Sequence, residues 1–303
     1  MLLAAGLGTR LRPLTELRPK PIVPVANRPL AAFAMDHLAL SGVRSIVANS
    51  HPQPELVEST LSAACPEGVE LRFSRENKLR GTGGGLRKAH VLFDDLQSSV
   101  IVMNGDTLFG PDLGRAHAEH LSRGAVATMI LRRSSEAERF GAIGVDANGW
   151  VRSLLGAPHD DRADESLMFT GVHIFAPEAF SAFPESGCVI RSTYRQWVDR
   201  GAPVLGVIDE SPWADLGTVA EYHRLNLALA EGSFTWPGVE PRDGCILPGA
   251  FEPSASVRRS VIGPKAEIAP GVQLDRCVVW PGTHVTGSAT NAVLTPEHRI
   301  ELS

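Results

Sequence analysis

The chain has 303 residues, is 43% hydrophobic and 21% charged, and carries a formal net charge of −5. That is a soluble globular composition with room for one large or two ordinary domains. The charge offers no broad attraction for nucleic acid or an anionic membrane, so no nucleic-acid or membrane partner is expected and any anion site must be local.

No apolar run approaches the roughly 18 residues of a membrane span, and no charged segment precedes the first apolar residues, which points to a cytoplasmic protein. The four cysteines, Cys65, Cys188, Cys245 and Cys277, lack Cys-x-x-Cys spacing, so they suggest neither a zinc site nor a disulfide framework.

In chain order, a short apolar run ends at Gly6. Residues 28–43 read as a helix: Asn27 caps it, Pro29 suits its first turn, Leu30, Phe33, Ala34 and Leu38 share a face, and Gly42 ends it. A strand over 45–49, a helix over 54–64, a half-buried strand over 69–74 and a helix over 86–93 follow. Residues 100–103 are a continuous apolar run of the kind covered on both faces, ending at Asn104-Gly105-Asp106. Ligands gather at the carboxyl ends of such strands in open parallel sheets, where both Gly6 and Asp106 are expected.

Further strands are predicted over 125–131, 167–175 and 204–208, with a turn at Ala147-Asn148-Gly149. Helices are predicted over 189–200 and 219–231, the second stopped by Gly232. A first domain over 1–232 is thus expected, then a Pro/Gly linker over 233–241 and a second domain over 242–303. There Val257 to Ile268 lines up with Leu274 to Val285 at a spacing of 17, looser copies flank them at Cys245-Ile-Leu-Pro-Gly249 and Ala292-Val-Leu-Thr-Pro296, and aliphatic residues recur about every six positions. Such a pattern is that of hexapeptide repeats, in which one coil cannot bury its own face and about three must stack, or pack on another subunit.

The chemistry concentrates in a few stretches. In Gly6-Leu7-Gly8-Thr9-Arg10 the glycines let backbone N–H groups close on a ligand, and Arg10 adds a charged fork suited to phosphate. Lys20, held between Pro19 and Pro21, adds a compact cation; it is one of only four lysines among 29 cationic residues. The spacing is not a P-loop, which needs Gly-Lys-Ser/Thr, nor the dinucleotide fingerprint, whose third glycine would stand at Leu11. A second glycine-rich stretch runs from Glu76 through Gly81-Thr82-Gly83-Gly84-Gly85 and, taken alone, also reads as a flexible turn.

Together, Gly6-x-Gly8-x-Arg10 and Pro19-Lys20-Pro21 resemble the signature of the sugar-1-phosphate nucleotidylyltransferases, and the overall look, including Gly81-Thr-Gly-Gly-Gly-Leu86 and Phe169-Thr-Gly-Val-His173, resembles mannose-1-phosphate guanylyltransferase-like members most. The resemblance implies an α/β fold: a mostly parallel, doubly wound sheet followed by a short left-handed parallel β-helix. It implies transfer of a nucleotidyl group from an NTP, GTP favoured, to a mannose- or heptose-type sugar 1-phosphate. Arg10, Lys20 and Asp106 would be catalytic, and Leu3, Ala5, Gly6, Gly8, Thr9, Glu76, Gly81 and Thr82 would hold the nucleotide. Asn104, Gly141, Thr170 and Gly171 would hold the sugar phosphate, with Asp106 and Asp215 as ligands of Mg²⁺.

The repeat would serve a homo-oligomer or regulation, and because every site motif lies before residue 220, nucleotide binding is expected to survive its removal. Two departures from the family pattern stand out. The stretch Val151 to Pro158 has no lysine where many members grip the sugar phosphate, leaving Arg152 as an imperfect substitute. Only three residues precede Ala4, so either the true start lies upstream or the central strand is shortened. The alternatives are a non-catalytic regulatory subunit of the same fold and, less consistent with so short a repeat, a hexapeptide-repeat acyltransferase.

Overall fold

The computed structural model of the chain describes residues 1–93, 97–155, 163–248 and 256–302. Contacts divide it into two compact units, one of Met1–Gly6 with Ala31–Trp213 and one of Leu7–Leu30 with Ala214–Ser303. This division differs from the boundary expected at 232: the signature segment after Gly6 groups with the C-terminal repeat.

Among the described residues the first unit is built on a nine-stranded sheet. Its parallel part sets Leu2–Leu3 between Ser45–Ser50 and Val100–Asn104, with Glu70–Arg75 beyond Ser45–Ser50. The carboxyl ends of these four strands deliver Ala4, Asn49, Glu76 and Gly105 to one end of the sheet, and the Gly105 N–H donates to Leu3 O at 2.9 Å. The sheet is mixed rather than uniformly parallel, because Glu165–Phe175 runs antiparallel to Val100–Asn104, Ala127–Arg132 and Ile143–Val145. A parallel neighbour needs a crossover of about a dozen residues, usually a helix. Between Ile143–Val145 and Val151–Leu154 the chain turns instead through Asn148 and Gly149, whose φ is +80°.

Burial of Val102, Met129, Leu131 and Phe175 centres the core on this sheet. Phe175, Phe183, Tyr194 and Trp197 extend the core as a ring cluster with centroids 5.0–6.4 Å apart.

Three predicted elements differ. The helix expected over 28–43 is Leu30–Leu40, because Pro24–Val25 and Arg28–Pro29 pair as a small hairpin with Ala26 and Asn27 at φ +46° and +65°. Asn27 is therefore a turn residue rather than a cap, as its tolerance of the left-handed region allows. The helix expected over 189–200 is a π-turn, Ile190–Tyr194, leading into Arg195–Asp199. The helix expected from residue 86 begins at Gly81, so the glycine run forms its first turns.

Glycine is a poor helix former, and here close packing explains it. A Cβ at Gly83 would lie 2.8 Å from Pro184 Cγ, and one at Gly84 2.5 Å from Glu185 O.

In the second unit, Val219–Glu231 forms the helix its periodicity predicts. Thr218 Oγ1 accepts the Glu221 N–H at its start, and Gly232 ends it at φ +76°. Short strands of the repeat stack in parallel, with Val257 beside Leu274, Ile262 beside Val279 and Ile268 beside Val285, in the predicted 17-residue register. Leu274–Val279 then pairs in parallel with Ala289–Leu294, on which Arg299–Glu301 closes antiparallel. Cys245, Ile262, Leu274, Cys277, Val279 and Leu294 form the core of the stack. The flanking copy expected at 245–249 ends on Gly249, outside the described residues.

Hydrogen bonds tie helix, repeat and signature segment together. Trp280 Nε1 donates to Tyr222 Oη at 2.9 Å, and that hydroxyl donates to Pro24 O at 2.6 Å. Asn226 Oδ1 accepts the Ala26 N–H, and Asn27 Nδ2 donates to Ile262 O. Among the described residues no helix is long and apolar enough to cross a membrane.

Candidate active site

The predicted residues fall in both units. In the first, the Ala4 N–H donates to Asn49 Oδ1 at 2.7 Å, and Asn49 Nδ2 donates to Glu76 Oε1 at 2.8 Å. Leu3, Ala5 and Gly6 flank that anchored residue. Glu76 is 3% exposed, and its other oxygen accepts the Arg80 N–H at 2.8 Å. The loop it opens is pinned from the far side: the Gly187 N–H donates to Arg80 O, the Gly83 N–H to Gly187 O, and the Val189 N–H to Thr82 Oγ1. Gly81 holds φ +71°, and its missing Cβ leaves room for Gly187 O, 2.7 Å from where the Cβ would stand. The glycine stretch is thus a rigid strand-to-helix junction, and tight packing rather than mobility accounts for its composition.

Asp106 lies in the turn after Val100–Asn104 and is half-buried. Of the predicted sugar-phosphate residues, Asn104 and Gly171 meet: a Cβ at Gly171, whose φ is +90°, would stand 2.7 Å from Asn104 Nδ2. Thr170 is 1% exposed and its hydroxyl donates to Ile130 O, while its carbonyl accepts the Trp213 indole N–H at 3.0 Å. Trp213 in turn meets the ring of Phe140 edge-on at 5.5 Å, beside Gly141.

Arg152 does not stand ready to replace the missing lysine. Its Nε donates to Asp146 Oδ2 at 2.8 Å, and an ion pair of 2.6 Å joins the same carboxylate, fixing the hairpin. Burial raises the Asp146 carboxyl, but the Trp150 N–H, Arg152 and the Asn148 N–H outweigh it and hold the pKa below its usual value. Gly156, Ala157 and Pro158, the rest of that stretch, lie outside the described residues.

In the second unit, Gly8 has φ +57° and starts the short turn Thr9–Leu11. A Cβ there would stand 2.9 Å from both Lys20 Cβ and Thr15 Cγ2, so Gly8 is what lets the Pro-Lys-Pro segment close on the loop. Thr15 Oγ1 reinforces the fold-back by donating to Gly8 O at 2.9 Å. Lys20 is 6% exposed. A second glycine gathers charge: the Cβ position of Gly217 lies 2.9 Å from Arg10 Nη1, 2.9 Å from Glu221 Oε2 and 3.0 Å from Asp215 Oδ2. Thr218 Oγ1 donates to that Glu221 oxygen at 3.0 Å.

Sequence reasoning missed Asn49, Glu221 and the 184–189 segment. Asn49 left one trace, a polar residue closing the buried run Ile46-Val47-Ala48; Glu221 left another, as the acidic third residue of a Thr-capped helix. The 184–189 segment left none.

Among the described residues, no three His, Cys, Asp or Glu side chains gather into a group able to hold a metal unaided. Asp106 belongs to the first unit and Asp215 to the second; carboxylates are donors that Mg²⁺ accepts, with waters and phosphate oxygens making up the rest of its shell.

A family model described as nucleotidyl transferase matches residues 1–232. The chain is 28% identical to mannose-1-phosphate guanylyltransferase of Mycobacterium tuberculosis over 94% of its own length and 80% of that protein's. It is 30% identical to UTP–glucose-1-phosphate uridylyltransferase of Synechocystis over 80% of its length and 67% of that protein's. D-glycero-alpha-D-manno-heptose 1-phosphate guanylyltransferase of Aneurinibacillus thermoaerophilus is 31% identical over 47% of this chain and 61% of that one. The crystal structure of HddC from Yersinia pseudotuberculosis shares the fold, with a TM-score of 0.63 at 22% identity over 74% of this chain and 96% of that one. With the signature loop and its lysine in place, the chain belongs to the nucleotidyl transferase family and is an enzyme of the sugar-1-phosphate nucleotidylyltransferase kind that its opening motifs resemble.

Proposed function

We propose that the protein joins a nucleoside triphosphate, GTP preferred, to a mannose- or heptose-type sugar 1-phosphate, releasing pyrophosphate. The observation that carries this reading is the packing of the buried Lys20 stem on Gly8, with Lys20 Cβ 2.9 Å from where a Gly8 Cβ would stand, which brings the Pro-Lys-Pro segment up to the glycine turn. The names of the guanylyltransferase relatives support the base and the sugar.

In the reaction a phosphate oxygen of the sugar 1-phosphate attacks the α-phosphorus in line, the bond to the β-phosphate oxygen breaks, and pyrophosphate departs with that electron pair. No covalent enzyme intermediate and no protein base are required. Lys20 and Arg10 orient the triphosphate and offset the negative charge that develops on the leaving group. Asp106 and Asp215 are the carboxylates we assign to a divalent cation, which when bound supplies further neutralisation of phosphate charge. Asn104 and the close approach at Gly171 are assigned to the sugar phosphate. We further infer that the C-terminal stack is a left-handed β-helix serving self-association.

The test is pyrophosphate release across a matrix of NTPs and sugar 1-phosphates, with NTP binding measured in parallel. Turnover greatest with GTP and mannose 1-phosphate or a heptose 1-phosphate is expected. Binding without turnover by any pair would instead favour a regulatory subunit.

A further inference from the structure

Every polar atom of Glu76 has a partner. Its N–H donates to Ser50 O at 3.1 Å, its carbonyl meets His51 Nδ1 at 2.9 Å, and its carboxylate receives Asn49 Nδ2 and the Arg80 N–H, both at 2.8 Å. Asn49, 4% exposed, uses its other amide end to accept the Ala4 N–H. A continuous hydrogen-bonded chain thus runs from the start of the signature loop, Ala4, through Asn49 to Glu76, all three buried, and on to the backbone of Arg80, the residue before the glycine-run helix. We infer that Asn49 and Glu76 are positioning residues that hold the strand end leading into the signature loop, Ala4 to Gly6, in register with the second glycine-rich loop, so that Glu76 acts on a bound nucleotide through these segments rather than by touching it as the resemblance implied. This rests on the proposed function.

The direction of every bond in the chain is forced. A backbone N–H only donates, so the Asn49 atom facing Ala4 is the oxygen and its NH₂ must face Glu76. Glu76 then meets a donor on each side, from Asn49 and from Arg80, which only a carboxylate satisfies without conflict. Gly85 supports the same reading independently: its Cβ would stand 2.9 Å from Asn49 Nδ2 and 3.0 Å from Glu76 Oε1, so glycine there leaves space for the relay.

Each single exchange breaks this logic and the double exchange restores it. Asn49→Asp sets two carboxylates face to face, which ask for a shared proton. Glu76→Gln turns an NH₂ against a donor. In the double variant the carboxylate introduced at position 49 accepts from the Ala4 N–H and from the amide introduced at position 76. The oxygen of that amide accepts the Arg80 N–H, and the net charge is unchanged.

The experiment measures KM for each NTP, kcat, nucleotide affinity by calorimetry and the unfolding midpoint for the wild type, both singles and the double. Each single is expected to raise the NTP KM about tenfold or more and to flatten discrimination among bases, with a smaller change in kcat, since a buried polar group loses its partner. The Asn49→Asp defect is expected to ease as pH falls, and the double to return KM and discrimination close to wild type. Folded singles with wild-type NTP affinity and discrimination would overturn the relay. A double no better than the worse single would also overturn it, because it would mean that the Glu76 carboxylate itself touches the nucleotide. Absence of turnover in the wild type overturns the proposed function instead, and the calorimetric affinities then still decide the relay.

Discussion

Replacing Gly8 by alanine tests how the signature loop acquires its lysine. Gly8 sits at φ +57°, where an L side chain costs roughly 1–2 kcal/mol. The added Cβ would stand 2.9 Å from Lys20 Cβ and Thr15 Cγ2. Neither neighbour yields easily. Lys20 Cβ is bonded directly to a backbone that Pro19 and Pro21 stiffen, and Thr15 is held by its hydrogen bond to Gly8 O. Relief therefore moves the Pro-Lys-Pro segment away from the loop.

A stability loss of about 2 kcal/mol is expected, or roughly 4–8 °C in the unfolding midpoint for a domain of this size. Because a displacement of about 1 Å costs on the order of a hundredfold in rate, pyrophosphate release is expected to fall between about tenfold and a hundredfold. Gly6→Ala serves as the stability control, since no atom lies within 4 Å of its Cβ position. A Gly8→Ala protein with the wild-type midpoint and turnover would refute the view that Gly8 sets the position of Lys20.

Activity is expected to require a divalent cation, with Asp106→Asn and Asp215→Asn each lowering the rate by several orders of magnitude and the double variant little worse than either, since groups acting on one ion are not additive. Fully additive losses, or single variants with an unchanged metal requirement, would falsify the shared role. Burial lowers His173 from 6.5 to about 3, so the unfolded chain binds the extra proton between those values and stability declines as pH falls through that window. The midpoint of His173→Gln should fall less steeply than wild type between pH ~6 and ~4; parallel curves would remove His173 as a cause. Removal of residues 242–303 is expected to weaken nucleotide binding as well as association, because Tyr222 and Asn27 lose the partners Trp280 and Ile262 that bind the signature segment to the repeat. Intact nucleotide affinity in a monodisperse truncated protein would show the segment to be self-supporting.

That last expectation reverses the one reached from motif positions, and the reversal shows what kind of information a sequence carries. The strands of the parallel sheet, the helix Val219–Glu231 with its Thr218 cap and Gly232 stop, and the 17-residue register of the repeat were legible because each follows from periodicity and end signals within a short stretch. The signature loop was legible for the same reason: its glycines, Arg10 and Lys20 lie within 15 residues of one another.

What the tertiary structure alone decided depends on partners far along the chain. The glycines of the second loop read equally well as a mobile turn, and only Pro184, Glu185 and Gly187 packed against them make them a rigid helix start. Asn49 looks like an ordinary strand end until Ala4 and Glu76 meet it, 45 and 27 residues away. The Leu7–Leu30 segment groups with a repeat more than 200 residues distant because the buried hydroxyl of Tyr222 and the amides of Asn27 and Asn226 need hydrogen-bond partners, and find them between the signature segment, the helix and the repeat.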